Sequence, residues 1–175
     1  MERNITVIKD VDGNNIVFIN DIRFKGRQAI RWDDVKAYLE EFVEDFYAVA
    51  ETNDLVYIGK DLPDEYSGSK YTRSLKGTLA KAKANAAQGL PEMVEIAGDK
   101  QFSDNRKEKH MRDARFGWYR YNSRFALPVY RNDNDIDHYN VFRASLVVRH
   151  SADGKLYLYD VTNIKKEEAG NPFKL

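Results

Sequence analysis

Two histidines, three arginines and a tyrosine are the residues of this chain best suited to chemistry. His110 sits inside the run Arg106-Lys107-Glu108-Lys109-His110-Met111-Arg112-Asp113-Ala114-Arg115. Cations on both sides lower the pKa of an imidazole and favour its neutral form, which is what a general base needs near neutral pH. Further along, Arg120, Tyr121, Arg124, Arg149 and His150 lie within strand-like sequence. Cleavage of RNA through the 2′-OH requires a base, an acid and a cation that stabilises the phosphorane. His110 could be the base, Tyr121 or His150 the proton donor, and Arg120, Arg124 or Arg149 the cation. The alternative is a surface histidine in a polar helix and arginines on a solvated sheet face.

A second group could hold phosphates without chemistry. Lys70, Arg73 and Lys76 recur every third residue and can share one face of a helix, with Lys81 and Lys83 following. With Arg106, Lys107, Lys109 and Arg112 they make the middle of the chain basic. Residues 1–69 carry 8 Lys and Arg against 15 Asp and Glu, whereas residues 70–125 carry 13 against 6. The formal net charge of zero therefore conceals an acidic first third and a basic middle. Such a block attracts RNA or another polyanion, or is neutralised by the acidic part of the same chain.

The composition narrows the classes. With 175 residues, 42% hydrophobic and 32% charged, the chain is long and apolar enough for one domain with a sizeable core. No cysteine is present, so disulfides, thiolate catalysis and Cys-ligated zinc are ruled out. There is no HExxH, no Gly-rich phosphate loop and no GxSxG, and no metal or cofactor is implied. MERNITVIKD does not read as a signal peptide, and no run is long and apolar enough to span a bilayer. The expectation is a soluble, cytoplasmic protein with no membrane partner.

The elements that must position these residues follow from periodicity. Three apolar, aromatic and β-branched runs occupy Gly117–Lys166: GWYRYNSRFALPVY, YNVFRASLVVRH and KLYLYDVTNIKK. Asn132–Asp135 and Ser151–Gly154 separate them as turns, which predicts a three-stranded antiparallel meander. Alternation assigns Phe142, Ala144, Leu146 and Val148 to a buried face and Arg143, Ser145 and Arg149 to the other. Upstream, Ile5–Lys9 and Ile16–Asn20 around Asp12-Gly13-Asn14 predict a hairpin. Val35, Tyr38, Leu39, Phe42 and Phe46 predict a helix over about 33–50. Leu55–Ile58 reads as a short strand, Lys70–Gln88 as a helix that Gly77 kinks or splits, and 105–114 as a short polar helix. Trp118, Phe42 and Phe46 are expected in the core with Phe142, Leu146 and Val148.

The expected fold class is α+β: a small N-terminal β-hairpin plus helix (1–54), then a main domain (55–167) of helices followed by a C-terminal antiparallel β-meander, and a frayed tail (168–175).

Ser69-Lys70-Tyr71 with Leu75-Lys76-Gly77, AKAKANAAQGLPEMVEIA (80–97), GWYRYNSRFALPVY (117–130), YNVFRASLVVRH (139–150) and KLYLYDVTNIKKE (155–167) together resemble the large polyvalent protein-associated domains, third class. These occur in very large proteins of phages and conjugative elements of gut Firmicutes. The resemblance spans about residues 55–167 and implies a domain of mobile-element origin, mostly without assigned activity. Neighbouring domains in such proteins include nucleases of the barnase–EndoU–colicin–RelE type, whose helices-then-sheet order matches that expected here. By analogy the chain could be a metal-independent ribonuclease-like domain. The competing expectation is a non-catalytic nucleic-acid- or protein-binding module.

Overall fold

The computed structural model describes residues 3–26, 28–103 and 114–167. It overturns the expected architecture. The protein is dominated by one eight-stranded mixed sheet that curls into a half-barrel, with 42% of residues in strands and 26% in helices. The strands are β1 (Ile5–Lys9), β2 (Asn15–Ile19), β3 (Phe46–Ala48), β4 (Leu55–Tyr57), β5 (Gly98–Ser103), β6 (Trp118–Asn132), β7 (Asp135–His150) and β8 (Leu156–Lys166). Their order is β1-β2-β6-β7-β8-β4-β3, with β5 pairing beside β2 on the free edge of β6.

The three long strands do pair as antiparallel neighbours. They are not a separate C-terminal layer, however. The parallel pairs β2–β6 and β4–β8 add the two N-terminal hairpins to either side of them. The physical reason is edge satisfaction. A three-stranded meander leaves two long rows of unpaired backbone groups, and short apolar strands such as Ile16–Ile19 cannot be buried by themselves. Pairing removes both problems in one sheet.

The helices are α1 (Trp32–Glu40), α2 (Leu62–Gly68), α3 (Lys70–Ser74), α4 (Gly77–Ala86) and α5 (Leu90–Glu95). They cover one face of the sheet. The main core joins Val35, Tyr38 and Leu39 of α1, Leu62 and Tyr66 of α2, and Met93 and Val94 of α5 to Tyr121, Phe125, Phe142, Leu146 and Leu158. Phe125 and Phe142 stack there at 5.2 Å between centroids. A smaller cluster of Ile16, Phe18, Ala126, Tyr139 and Val141 lies on the opposite face, toward β1 and β2.

One predicted helix is shorter than expected, and a second divides at the glycine expected to kink or split it. The first ends at Glu40 rather than continuing to Ala50. Glu44, at φ 82, turns the chain, and Phe46–Ala48 pairs with β4 because this run is as apolar as a strand requires. Phe46 is consequently 53% exposed rather than in the core. The run Lys70–Gln88 breaks at extended Leu75 and at Gly77, φ +57. Ser69 Oγ caps α3 by accepting from Thr72 N–H. Trp118, also expected in the core, is only half-buried and belongs to the opposite face.

Lys83, expected on a solvated basic face, is fully buried. Its Nζ donates to Asp160 Oδ1 and to Thr72 Oγ1, both at 2.6 Å, and lies 4.7 Å and 5.1 Å from the ring centroids of Tyr66 and Tyr71. Burial pushes the Asp160 carboxyl up and the Lys83 ammonium down from their ordinary values, each opposed by the other's charge. The pair ties α3 and α4 to β8. No helix among the described residues is long and apolar enough to cross a membrane.

Candidate nucleic-acid interface

The sheet face not covered by helices carries one continuous row of side chains. Phe46 of β3 is directly opposite Tyr57 of β4, Tyr57 opposite Tyr157 of β8, Tyr157 opposite Arg149 of β7, and Arg149 opposite Trp118 of β6. Directly paired residues share a face, so the row crosses five strands on one side. At the spacing of neighbouring strands it is roughly 19 Å long. Its contacts are close. Phe46 and Tyr57 lie 5.2 Å apart, Tyr57 and Tyr157 5.9 Å, and the Arg149 guanidinium sits 4.3 Å from the Tyr157 centroid. Trp118 meets Tyr159 edge-on at 5.0 Å.

The local sequence produces this row through alternation. On β8, Leu156 and Leu158 point into the core, so Tyr157 points out. On β7, Val148 enters the core beneath the helices and Arg149 takes the other face, where it is nevertheless buried at 8% exposure. Arg149 Nη2 also donates to Asp61 Oδ1 at 3.2 Å, which fixes the guanidinium over the ring. The Tyr157 hydroxyl donates to Asp153 Oδ2 at 2.6 Å, and this bond, with partial burial, pushes its phenol up to about 12. Tyr157 is therefore a neutral stacking surface at any physiological pH.

Of the site residues expected from sequence, Arg120, Arg124 and Arg149 belong to this open face. Arg120 is exposed and reaches Thr162 Oγ1 at 3.4 Å. Arg124 is committed to structure. Its Nε and Nη2 donate to Glu167 at 2.8 and 2.9 Å, and its Nη1 to Asp10 at 2.7 Å. Tyr121 and His150 point to the opposite side. Tyr121 is buried and donates to Asp54 Oδ2 at 2.7 Å, and burial together with that carboxylate holds its phenol far above the ordinary value. His150 lies between Phe116 and Tyr119, with Nε2 3.2 Å from the Gly154 carbonyl oxygen. The sheet thus separates both proton-donor candidates from the three arginines.

Lys70, Arg73 and Lys76 are exposed, but α3 ends at Ser74 and Lys76 lies beyond it, so the three do not share one helical face. His110, Arg106, Lys107, Lys109 and Arg112 lie outside the described residues, as does most of the expected helix 105–114. Phe46, Tyr57, Tyr157 and Trp118 are the residues that sequence reasoning did not gather. Outward-facing aromatics in each β run were a signal, but only the register of the parallel β4–β8 pair aligns them.

Beyond Arg124 the open face runs into a cleft of about 1010 Å³ between the Asp10–Asn15 turn and Arg143, with Glu51, Asp99 and Glu167 on its walls. Carboxylates dominate there, so the aromatic row is the part of the face suited to stacking flat aromatic groups.

No family model, no curated protein and no solved structure matches the chain.

Proposed function

We propose that this domain is a non-catalytic module that binds single-stranded nucleic acid, RNA foremost, across the open face of its sheet. The observation that carries this reading is the row Phe46–Tyr57–Tyr157–Arg149–Trp118. Unpaired bases stack on aromatic faces whatever their sequence, and Arg149, itself buried and bonded to Asp61, braces the Tyr157 ring from within the row. Sheet surfaces of this kind stack two or three bases, which suits the length of the row. Arg120, exposed on the same face, is placed to meet the backbone. A cytoplasmic setting and an origin in a mobile-element protein, as the resemblance over 55–167 implies, belong to the same proposal.

Ribonuclease chemistry finds less support. It asks for a proton donor and a cation at one phosphate, whereas Tyr121 and His150 lie across the sheet from Arg120, Arg124 and Arg149.

The test is equilibrium binding of a short fluorescent oligonucleotide by anisotropy, as single-stranded RNA, single-stranded DNA and duplex. Single strands should bind in preference to duplex. Tyr57→Ala and Tyr157→Ala, checked for folding by circular dichroism, should each weaken binding by about 1–3 kcal/mol, the contribution of one stacked base. Preference for duplex, no binding at all, or full affinity in both variants would reject the proposal.

A further inference from the structure

Beside the middle of the row the open face dips into a pocket of about 550 Å³. Tyr57, Tyr157 and Arg149 form part of its wall; the 58–61 segment, which leaves β4, Ser151 and Lys155 of the turn that joins β7 to β8, and Val43 and Glu44 supply the rest. Gly59 lets the backbone come close here. A Cβ at this position would fall 3.0 Å from Asp61 Oδ1 and 3.1 Å from the Tyr157 ring. On this side the pocket is therefore bounded by close-packed backbone and the Tyr157 ring.

Its charges are unequal in kind. Arg149 is engaged with Asp61 and stacked on Tyr157, and so fixes one wall. Lys60 and Lys155 are exposed, and among the described residues neither has a carboxylate within ion-pair distance. Lys155 Nζ stands 4.9 Å from the Tyr57 centroid, directly beside the stacking row. Glu44 is the remaining carboxylate on the wall.

Resting on the reading that the open face binds single strands, we propose that this pocket receives the terminal phosphomonoester of the bound strand. An internal phosphodiester carries one negative charge and continues as chain on both sides. A terminal monoester carries close to two at neutral pH and has chain on one side only. Two lysines that form no ion pair among the described residues match that second charge, and a pocket bounded by two loops has room for one nucleotide. Tyr57 and Tyr157 offer the terminal base its stacking surface, while Lys60 and Lys155 take the phosphate. The chemistry is shared by 5′ and 3′ ends, and the assay separates them.

Three RNAs of one sequence serve as probes, ending in a 5′-phosphate, in a 3′-phosphate, or in hydroxyls at both ends. One of the two phosphorylated forms should bind at least tenfold tighter than the hydroxyl form at pH 7.5. The advantage should shrink at pH 5.5, where the monoester has lost most of its second charge. Lys60→Gln/Lys155→Gln should bring the ratio of phosphorylated to hydroxyl affinity within twofold. The control Lys70→Gln/Arg73→Gln, with the same charge loss on α3, should keep it. Equal binding of all three RNAs, or a ratio that survives in the Lys60/Lys155 variant, would overturn the end-recognition proposal and leave single-strand binding standing. If none of the RNAs binds, the underlying reading fails and the end preference falls with it.

Discussion

Replacing Lys83 by Met should destabilise the fold severely, and the cost should depend on pH. Lys83 is fully buried, and Asp160, its partner at 2.6 Å, is 4% exposed. Methionine fills a similar volume but leaves the Asp160 carboxylate buried without its ammonium. Removing one partner of a buried pair costs about 3–5 kcal/mol, and a domain of this size holds only about 5–15 in total. With a urea slope of about 2 kcal/mol per molar, the unfolding midpoint at pH 7.5 should fall by about 2 M. The pH dependence follows from the direction of the Asp160 shift, which burial raises. Without Lys83 the folded carboxyl titrates above its unfolded value of 3.8, so between those two values the native state binds a proton that the unfolded chain does not. The variant should therefore regain stability relative to wild type as pH falls through the raised value, by at most about 1.4 kcal/mol per pH unit. Adding Asp160→Asn should recover much of the loss at pH 7.5, because the buried charge is gone. Urea unfolding followed by circular dichroism at pH 7.5 and 5.5 reads all three. A single variant within about 1 kcal/mol of wild type at pH 7.5 would refute the argument, as would a cost unaffected by both pH and Asp160→Asn.

Two further outcomes test the frame around the open face. Asp54 accepts from Tyr121 and from Lys100; burial alone would raise it, but these bonds and that of Thr52 outweigh burial and hold its carboxyl below 3.8. A depressed carboxyl contributes stability above its unfolded value that is lost as pH falls through the folded one, so Asp54→Asn should flatten the acid limb of a stability–pH curve below about pH 4; an unchanged limb would count against it. Gly117 has φ +100, and a Cβ there would lie 2.6 Å from the Phe102 ring and 2.8 Å from the Ser103 carbonyl oxygen. Gly117→Ala should therefore lower stability by more than about 1 kcal/mol, read as a drop in the melting temperature, with no change expected for Gly154→Ser beyond its own φ strain.

The parts of this protein visible in its sequence are those set by short-range pattern. Alternation in 139–150 assigned Phe142, Ala144, Leu146 and Val148 to the buried side, where they are found. Turn chemistry at Asp12-Gly13-Asn14 marked the first hairpin, and Asp10 caps that turn by accepting from Asp12 and Asn14 N–H. What stayed hidden depends on partners far away in sequence. Phe46 looked like the last rung of an amphipathic helix because its spacing from Phe42 fits one, yet pairing with Tyr57 claims it for the sheet. Lys83 looked solvated because lysine nearly always is, and only Asp160, on a strand much later in the chain, makes its burial tolerable. The stacking row was illegible for the same reason: each aromatic was visible, but not the strand order that lines them up.

The two parallel pairs also govern how the chain reaches this state. Val17 finds Phe125, and Val56 finds Leu156, each across about 100 residues. Loop closure over that length costs roughly 4 kcal/mol before any contact repays it. During synthesis the apolar strands Asn15–Ile19 and Leu55–Tyr57 emerge long before the strands that cover them. A nascent chain must carry the first hairpin unpaired until Trp118–Asn132 has emerged, and the second until the last strand, Leu156–Lys166, is complete. Folding should then be slow for the size of the domain and gated by its final strand, with the unpaired hairpins as the segments most exposed to chaperones or to aggregation in the interval.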